Sequence, residues 1–217
     1  MSDAIEALPL LGQGALVTLV LSLVSMAIGL GLGLFAALLK LSRHAVLSRV
    51  GTVYVSAVRG TPLLVQLFLW YYALPQAGLT LGPFSAAIIG LSVNVGAYLA
   101  ESFRAAIQSV DRGQFEASYS LGMTYAATLR RIILPQSIRT ALPTIGNTFI
   151  GLVKDSSLVS VITVRELLAN GQLTIARTFP ALPILLEVAV MYWLLCQMFS
   201  TGQGWLERRT TRHVRIA

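Results

Sequence analysis

Charge is scarce in this chain. Of its 217 residues only 12% are charged, against roughly a quarter in an average soluble domain, which excludes a solvated globular surface. Cysteine is rarer still. The single Cys196 sits in an apolar run and so excludes an intrachain disulfide and a cysteine-built metal site. The two histidines, His44 and His213, both fall in basic loops, and no metal-ligand cluster or nucleophile–base pair can be assembled from them. No G-x-x-x-x-G-K-[ST] loop is present, so the chain does not bind and hydrolyse ATP by that route. The amino terminus has Asp3 and Glu6 but no basic stretch, and the apolar run after it is too long for a signal peptide core; it is expected to stay as a membrane span.

What the chain has is apolar length. It is 55% hydrophobic, with a mean hydropathy of +0.74. The reading is an all-α integral membrane protein in one transmembrane domain, residues 1–217, with about five helices crossing the bilayer near residues 10–39, 52–74, 84–107, 141–164 and 184–201. About 20 apolar residues suffice for each crossing. The net charge of +7 and pI near 10.1 come from basic residues scattered in short loops, which argues for membrane topology and against nucleic acid. Lys40, Arg43, His44 and Arg49 form one basic loop; Arg104, Arg112, Arg130, Arg131 and Arg139 another; Arg208, Arg209, Arg212 and Arg215 the tail. By the positive-inside rule these face the cytoplasm, so the amino terminus is expected outside and the carboxyl terminus inside.

In chain order, Gly29, Gly31 and Gly33 in the first span allow close helix contact. The second span contains Arg59-Gly60-Thr61-Pro62, where Pro62 lacks a donor and disfavours helix at Thr61. A bend is expected there, with Arg59 kept near the cytoplasmic headgroups. Trp70, Tyr71 and Tyr72 would form an outer aromatic belt. In the third span Asn94, Tyr98 and Glu101 share one face. An acid in a membrane helix is by default a functional candidate; the alternative is a structural partner for Arg104 or another nearby basic residue. The fourth span carries Lys154 and Asp155 near its expected centre, and charges there must face other helices, water or a break. By depth Asn94 is the expected neighbour of Lys154. This polar midplane, Asn94, Tyr98, Glu101, Lys154 and Asp155, is a candidate substrate pathway or a structural pair holding helices in register. Arg165, Glu166 and Arg177 lie in an outer segment able to form a short external helix for a docking partner.

The most distinctive stretch is the loop at 111–136, expected to form two short helices. The first ends near Gly122; the second is N-capped by Thr124 and stopped by Pro135. It carries Glu116-Ala117-Ser118, Gly122, Arg130-Arg131 and Ile132-Ile133-Leu134-Pro135. These residues resemble the Glu-Ala-Ala…Gly…Ile-x-Leu-Pro signature of bacterial ABC importer permeases, with Ser118 where the family has alanine. Arg59-Gly60-Thr61-Pro62-Leu63-Leu64-Val65-Gln66 and Gly96-Ala97-Tyr98 with Glu101-Ser102-Phe103-Arg104 are similar to the polar amino-acid branch of that family. The resemblance implies a type I importer permease fold and a coupling helix built from Glu116, Ala117, Ser118, Gly122, Arg130, Ile132, Leu134 and Pro135, with Glu116 anchoring the loop through amides or arginines. It implies two cytoplasmic ATPase subunits that hold ATP and magnesium, an external or surface-tethered amino-acid binding protein, a second permease copy or paralogue, and a bacterial inner membrane. Cystine, basic amino acids, glutamine and opine-like derivatives are open as substrates, with cystine foremost. An ion-coupled carrier or channel using Glu101 and Lys154, or a scaffold subunit without transport, are the competing readings.

Overall fold

The computed structural model describes residues 2–178 and 181–211, and these are helical throughout apart from short connections. The tail residues Arg212, His213 and Arg215 lie outside them. Helix α1 spans Ser2–Lys40, α2 Ala45–Arg59, and α3 Leu63–Phe68, which continues through a π-turn at Leu69–Ala73 and a 3-10 turn at Leu74–Ala77. Helix α4 spans Pro83–Gln108. The short α5, Arg112–Ser120, follows, then α6, Tyr125–Thr128, a π-turn at Leu129–Ile133, and α7, Leu134–Asp155, closed by a 3-10 segment at Ser156–Ile162. Helices α8, Leu167–Thr178, and α9, Ala181–Thr211, complete the chain.

Four helical stretches are long and apolar enough to cross a membrane, and a fifth arises if α2 and α3, bent by 102° at their junction, count as one broken span. Helix α4 is the hub. Much of its length is buried while most of α9 is not, as expected when α4 is surrounded by other helices and α9 faces lipid. Leu91, Val95, Leu99 and Phe103 of α4 join Leu21 and Met26 of α1 and Leu152 of α7 in the main core.

The packing of α1 on α4 depends on small residues. A Cβ on Gly29 would lie 2.4 Å from Val95 Cγ1, and one on Gly33 2.7 Å from Leu99 Cβ and 3.0 Å from Gly96 O. Gly31, in contrast, meets nothing within 4 Å. Only the pair four residues apart shares the α4-facing side, as helical periodicity requires. Overpacking a tight contact typically costs about 1–3 kcal/mol. Gly33→Leu is therefore expected to lower the melting midpoint in detergent, while Gly31→Leu leaves it near wild type; equal midpoints for the two would refute the assignment.

Three sequence expectations need correction. Pro135 does not stop a helix: the Leu134 N–H reaches back to Leu129 O, and this wider turn makes room for the proline, so the helix passes from Tyr125 into α7. Lys154 and Asp155 consequently sit at the end of α7, not its centre, where a lysine suits the negative helix terminus. Arg59 is not at the edge of its span but inside it, at the α2–α3 break. It ends the 15-residue α2, about 21 Å along the helix from Ala45 at 1.5 Å per residue.

The outer segment is also more buried than expected. Glu166 is 0% exposed and precedes α8, accepting hydrogen bonds from the amides of Leu168 (2.9 Å) and Ala169 (2.7 Å) as an N-cap does. Tyr192 Oη of α9 (2.5 Å) and Thr18 Oγ1 of α1 (3.4 Å) also donate to it, both to the Oε2 that the Leu168 amide uses. One carboxylate joins α1, α8 and α9. Helix α8 is thus packed into the bundle instead of standing free.

Candidate functional site

Two regions carry chemistry: a polar cavity among the spans and the loop at α5. The cavity, about 560 Å³, is lined by Arg59, Gly60, Thr61, Pro62 and Leu63 from the α2–α3 break, Asn94, Val95 and Tyr98 from α4, and Thr148, Gly151, Leu152 and Asp155 from α7. Its volume lies within the roughly 300–1,000 Å³ usual for small-molecule sites. Asn94 and Tyr98 fall near the middle of the 26-residue α4, so the cavity is at membrane depth.

Its polar groups are of both signs. The Arg59 guanidinium stacks over the Tyr98 ring, 5.2 Å from the centroid, a cation–π contact that fixes a long side chain. Asp155 supplies the opposite charge on another wall. Among the described residues neither has a salt-bridge partner within 4 Å. A cation and an anion exposed around one cavity suit a ligand that is itself a zwitterion.

Of the expected pathway residues, Asn94, Tyr98 and Asp155 are brought together here, and Glu101 and Lys154 are not. Glu101 accepts from Lys40 Nζ of α1 and from Arg104 Nη2 at 2.8 Å and Nε at 3.0 Å, an arrangement that closes the α1–α4 end. The lysine and arginine beside it offset its charge, and none of the three lines the cavity. Lys154 does not pair with Asn94, because adjacent residues on a helix point about 100° apart and Asp155 is the one that faces the cavity. Asn94 instead donates from Nδ2 to Gln66 Oε1 at 3.1 Å. Gly60, Thr61 and Pro62 form the expected bend and also a cavity wall. Arg59, Thr148 and Gln66 were not foreseen in these roles; a lone arginine inside a predicted span was the available signal for the first.

At the α5 loop, Asp111 caps the helix by accepting from the Gly113 amide at 2.7 Å. Gly122 ends it with φ +74°; its N–H donates to Tyr119 O (2.9 Å) and that of Met123 to Ser118 O (3.1 Å), a Schellman closure that favours glycine. Ser118 is buried and its hydroxyl donates to Gln114 O at 2.7 Å, which accommodates a serine in a slot for a small residue. Thr124 then caps α6 by accepting from Ala127 N at 3.3 Å. Glu116 does not anchor the loop: it is exposed, and its carboxylate has no ion pair or hydrogen bond among the described residues. Arg130 and Pro135 are exposed, Ile132 and Leu134 half-buried. Leu121 beside Gly122 is 82% exposed. A cleft of about 600 Å³ opens between Tyr119, Tyr125 and Leu129 on one side and Leu38, Leu41, Arg43 and His44 on the other. An exposed acid, an exposed leucine and a cleft lie together on this surface.

Comparison with known proteins decides the family. Residues 29–212 match the model of the binding-protein-dependent transport system inner membrane component. The chain belongs to that family. This permease is 47% identical over 207 residues to the L-cystine transport system permease protein TcyB of Bacillus subtilis, covering 95% of this chain and 88% of the relative. It is 41% identical over 205 residues to the glutamine transport system permease protein GlnP of Escherichia coli K12, covering 94% of each. An amino acid ABC transporter crystallised with histidines contains a chain that superposes with a TM-score of 0.89 at 40% identity, over 94% of this permease and 96% of that chain. An inward-facing MetNI methionine ABC transporter shares the fold, with a TM-score of 0.80 at 24% identity over 94% and 97%. The all-helical type I ABC importer permease fold is thereby established, as is an integral inner-membrane setting.

Proposed function

We propose that this permease forms the translocation pathway of an ATP-driven importer and passes a polar amino acid through the cavity between α2, α4 and α7. The observation that carries this reading is the presence of Arg59 and Asp155, opposite charges with no salt bridge among the described residues, around one cavity at membrane depth. Arg59 takes the α-carboxylate and Asp155 the α-ammonium, with Thr61, Asn94 and Thr148 as neutral partners. The relatives named for cystine and glutamine support an amino-acid cargo, and cystine is the first candidate.

The external binding protein delivers the amino acid, and two copies of the permease, or one with a paralogue, enclose the path. On the cytoplasmic side the α5 surface docks an ATPase subunit, which carries ATP and magnesium. Helix α5 and Leu121 enter the partner's groove, and Glu116 faces it. Since α6 runs through the π-turn at Leu129–Ile133 into α7 without leaving helix, a displacement of α5 passed on through the Gly122 turn is carried along one helical path to Asp155 and the cavity wall. The amino terminus lies outside and the carboxyl terminus in the cytoplasm. An ion-coupled carrier through Glu101 and Lys154 has less support, because Glu101 is held by Lys40 and Arg104 and neither residue lines the cavity.

The test is uptake by the complete transporter in proteoliposomes, with binding protein and ATP, for wild type, Arg59→Gln and Asp155→Asn. Hydrogen bonds to charged groups contribute about 1.5–3 kcal/mol, so each variant is expected to lower uptake about 10- to 100-fold while still assembling. Wild-type uptake by both assembled variants would reject the cavity as the amino-acid path.

A further inference from the structure

The break between α2 and α3 poses a problem that one side chain solves. Pro62 has no N–H, and the turn at Gly60–Pro62 interrupts the helical ladder, so carbonyls near it need other donors. Gln66, only 6% exposed, provides them. Its Nε2 directs two protons at three acceptors, Val58 O at 2.7 Å, Thr61 Oγ1 at 2.9 Å and Thr61 O at 3.1 Å. Carbonyls can only accept, so the amide nitrogen must face the break and Oε1 must face α4. There it accepts from Asn94 Nδ2, which fixes the Asn94 amide in turn: its NH2 is directed at Gln66, leaving Oδ1 as an acceptor. Asn94 and Thr61 both line the polar cavity, and Gln66 itself lines an apolar crevice of about 400 Å³ behind it. The glutamine therefore occupies the wall between a polar and an apolar space.

We propose that Gln66 is a positioning residue for the amino-acid site: it clamps the Arg59–Pro62 break to α4 and sets the polarity that Asn94 presents to the cargo. It need not touch the cargo. Its two ends act on two cavity walls at once, which a residue serving only to satisfy the turn would not require. The consequence bears on the cargo: with Asn94 Oδ1 left to accept, the neutral side of the cavity favours a donor beyond the α-ammonium that Asp155 takes, and L-cystine offers a second ammonium where L-glutamine offers only a carboxamide. The inference rests on the cavity being the amino-acid path.

The experiment uses the reconstituted transporter with its binding protein and ATPase, comparing wild type, Gln66→Met, Gln66→Glu and Asp155→Asn for uptake of L-cystine and L-glutamine. Gln66→Met keeps length but makes no hydrogen bond, and Gln66→Glu keeps the acceptor toward Asn94 but cannot serve the carbonyls when ionised. Both are expected to lower maximal uptake at least 10-fold, to leave the binding-protein concentration for half-maximal uptake within about 2-fold of wild type, since docking outside does not involve this wall, and to change the cystine-to-glutamine ratio at least 3-fold. Unchanged maximal uptake, or an equal loss for both amino acids, would assign Gln66 to turn stability and overturn the proposal. Should Met prevent assembly, the Glu variant decides by the same ratio. If Asp155→Asn transports normally, the cavity reading itself has failed; if Asp155→Asn is inactive while the Gln66 variants keep the wild-type ratio, only the positioning role has.

Discussion

Glu166→Leu is expected to be the most destabilising single substitution in the bundle, with a melting midpoint in detergent lowered by on the order of 10 °C, given that 1 kcal/mol moves a chain of this size by about 2–4 °C. The leucine would leave the Leu168 and Ala169 amides, the Tyr192 hydroxyl and the Thr18 hydroxyl without their acceptor in a site that is 0% exposed. Each orphaned buried donor costs about 1–3 kcal/mol, and the loss spreads over α1, α8 and α9 together. Glu166→Gln separates acceptor from charge. Burial pushes the Glu166 carboxyl above its usual range, the hydrogen bonds from Tyr192, Leu168, Ala169 and Thr18 drawing it back only in part. A carboxyl raised in this way favours the fold while protonated, and that contribution is lost as pH rises through the folded value. Glutamine keeps an acceptor and has no charge to lose, so its stability relative to wild type should rise with pH above the ordinary carboxylate range. Thermal scans at several pH values for the three proteins measure this; a Leu variant that melts with wild type would show that the donors find other partners.

How this site escaped the sequence is instructive. Glutamate is not among the usual helix caps, and Arg165 and Arg177 on either side make the segment look solvated. The spans, in contrast, were legible from apolar run length alone, because nothing else in a chain so poor in charge can accommodate uninterrupted runs in water. In the loop, Gly122 was legible from the chemistry of a left-handed cap and Thr124 from that of an N-cap. Where reading failed, the reason was register. The start of α2 lies at Ala45, inside a stretch whose Arg49 reads as loop, and this moved Arg59 from the headgroups to the cavity. The helix running through Pro135 shifted Lys154 and Asp155 from mid-span to a helix end, and only their neighbouring elements reveal which of the two faces inward. Gln66 could have been found by asking what satisfies the carbonyls freed by Pro62, since a buried break must be supplied with donors from nearby. The next polar side chain in the sequence is that glutamine.

At the other end of the molecule, Gly122→Val should uncouple ATP hydrolysis from delivery. With φ at +74°, residue 122 is in the left-handed region, where a residue with a Cβ costs about 1–2 kcal/mol and a β-branched one more. Space is not the obstacle, since a Cβ there meets nothing within 4 Å; the strain is in the backbone. Valine would relieve it by leaving the left-handed conformation, breaking the closure of Met123 N–H on Ser118 O and of Gly122 N–H on Tyr119 O. That moves Leu121 and swings α5 relative to α6, disturbing the turn that joins α5 to the helix running into α7. Stimulation of ATPase activity by loaded binding protein in nanodiscs is expected to fall at least 10-fold, with the global fold intact because the loop lies outside the membrane core. Gly122→Asn supplies the control, since asparagine tolerates the left-handed region and should retain most of the stimulation. Equal loss in both variants would point to the added side chain obstructing the ATPase interface, and full activity in both would mean that the coupling surface tolerates a different exit from α5; only retention by asparagine with loss by valine makes the backbone angle itself the element that transmits the stroke.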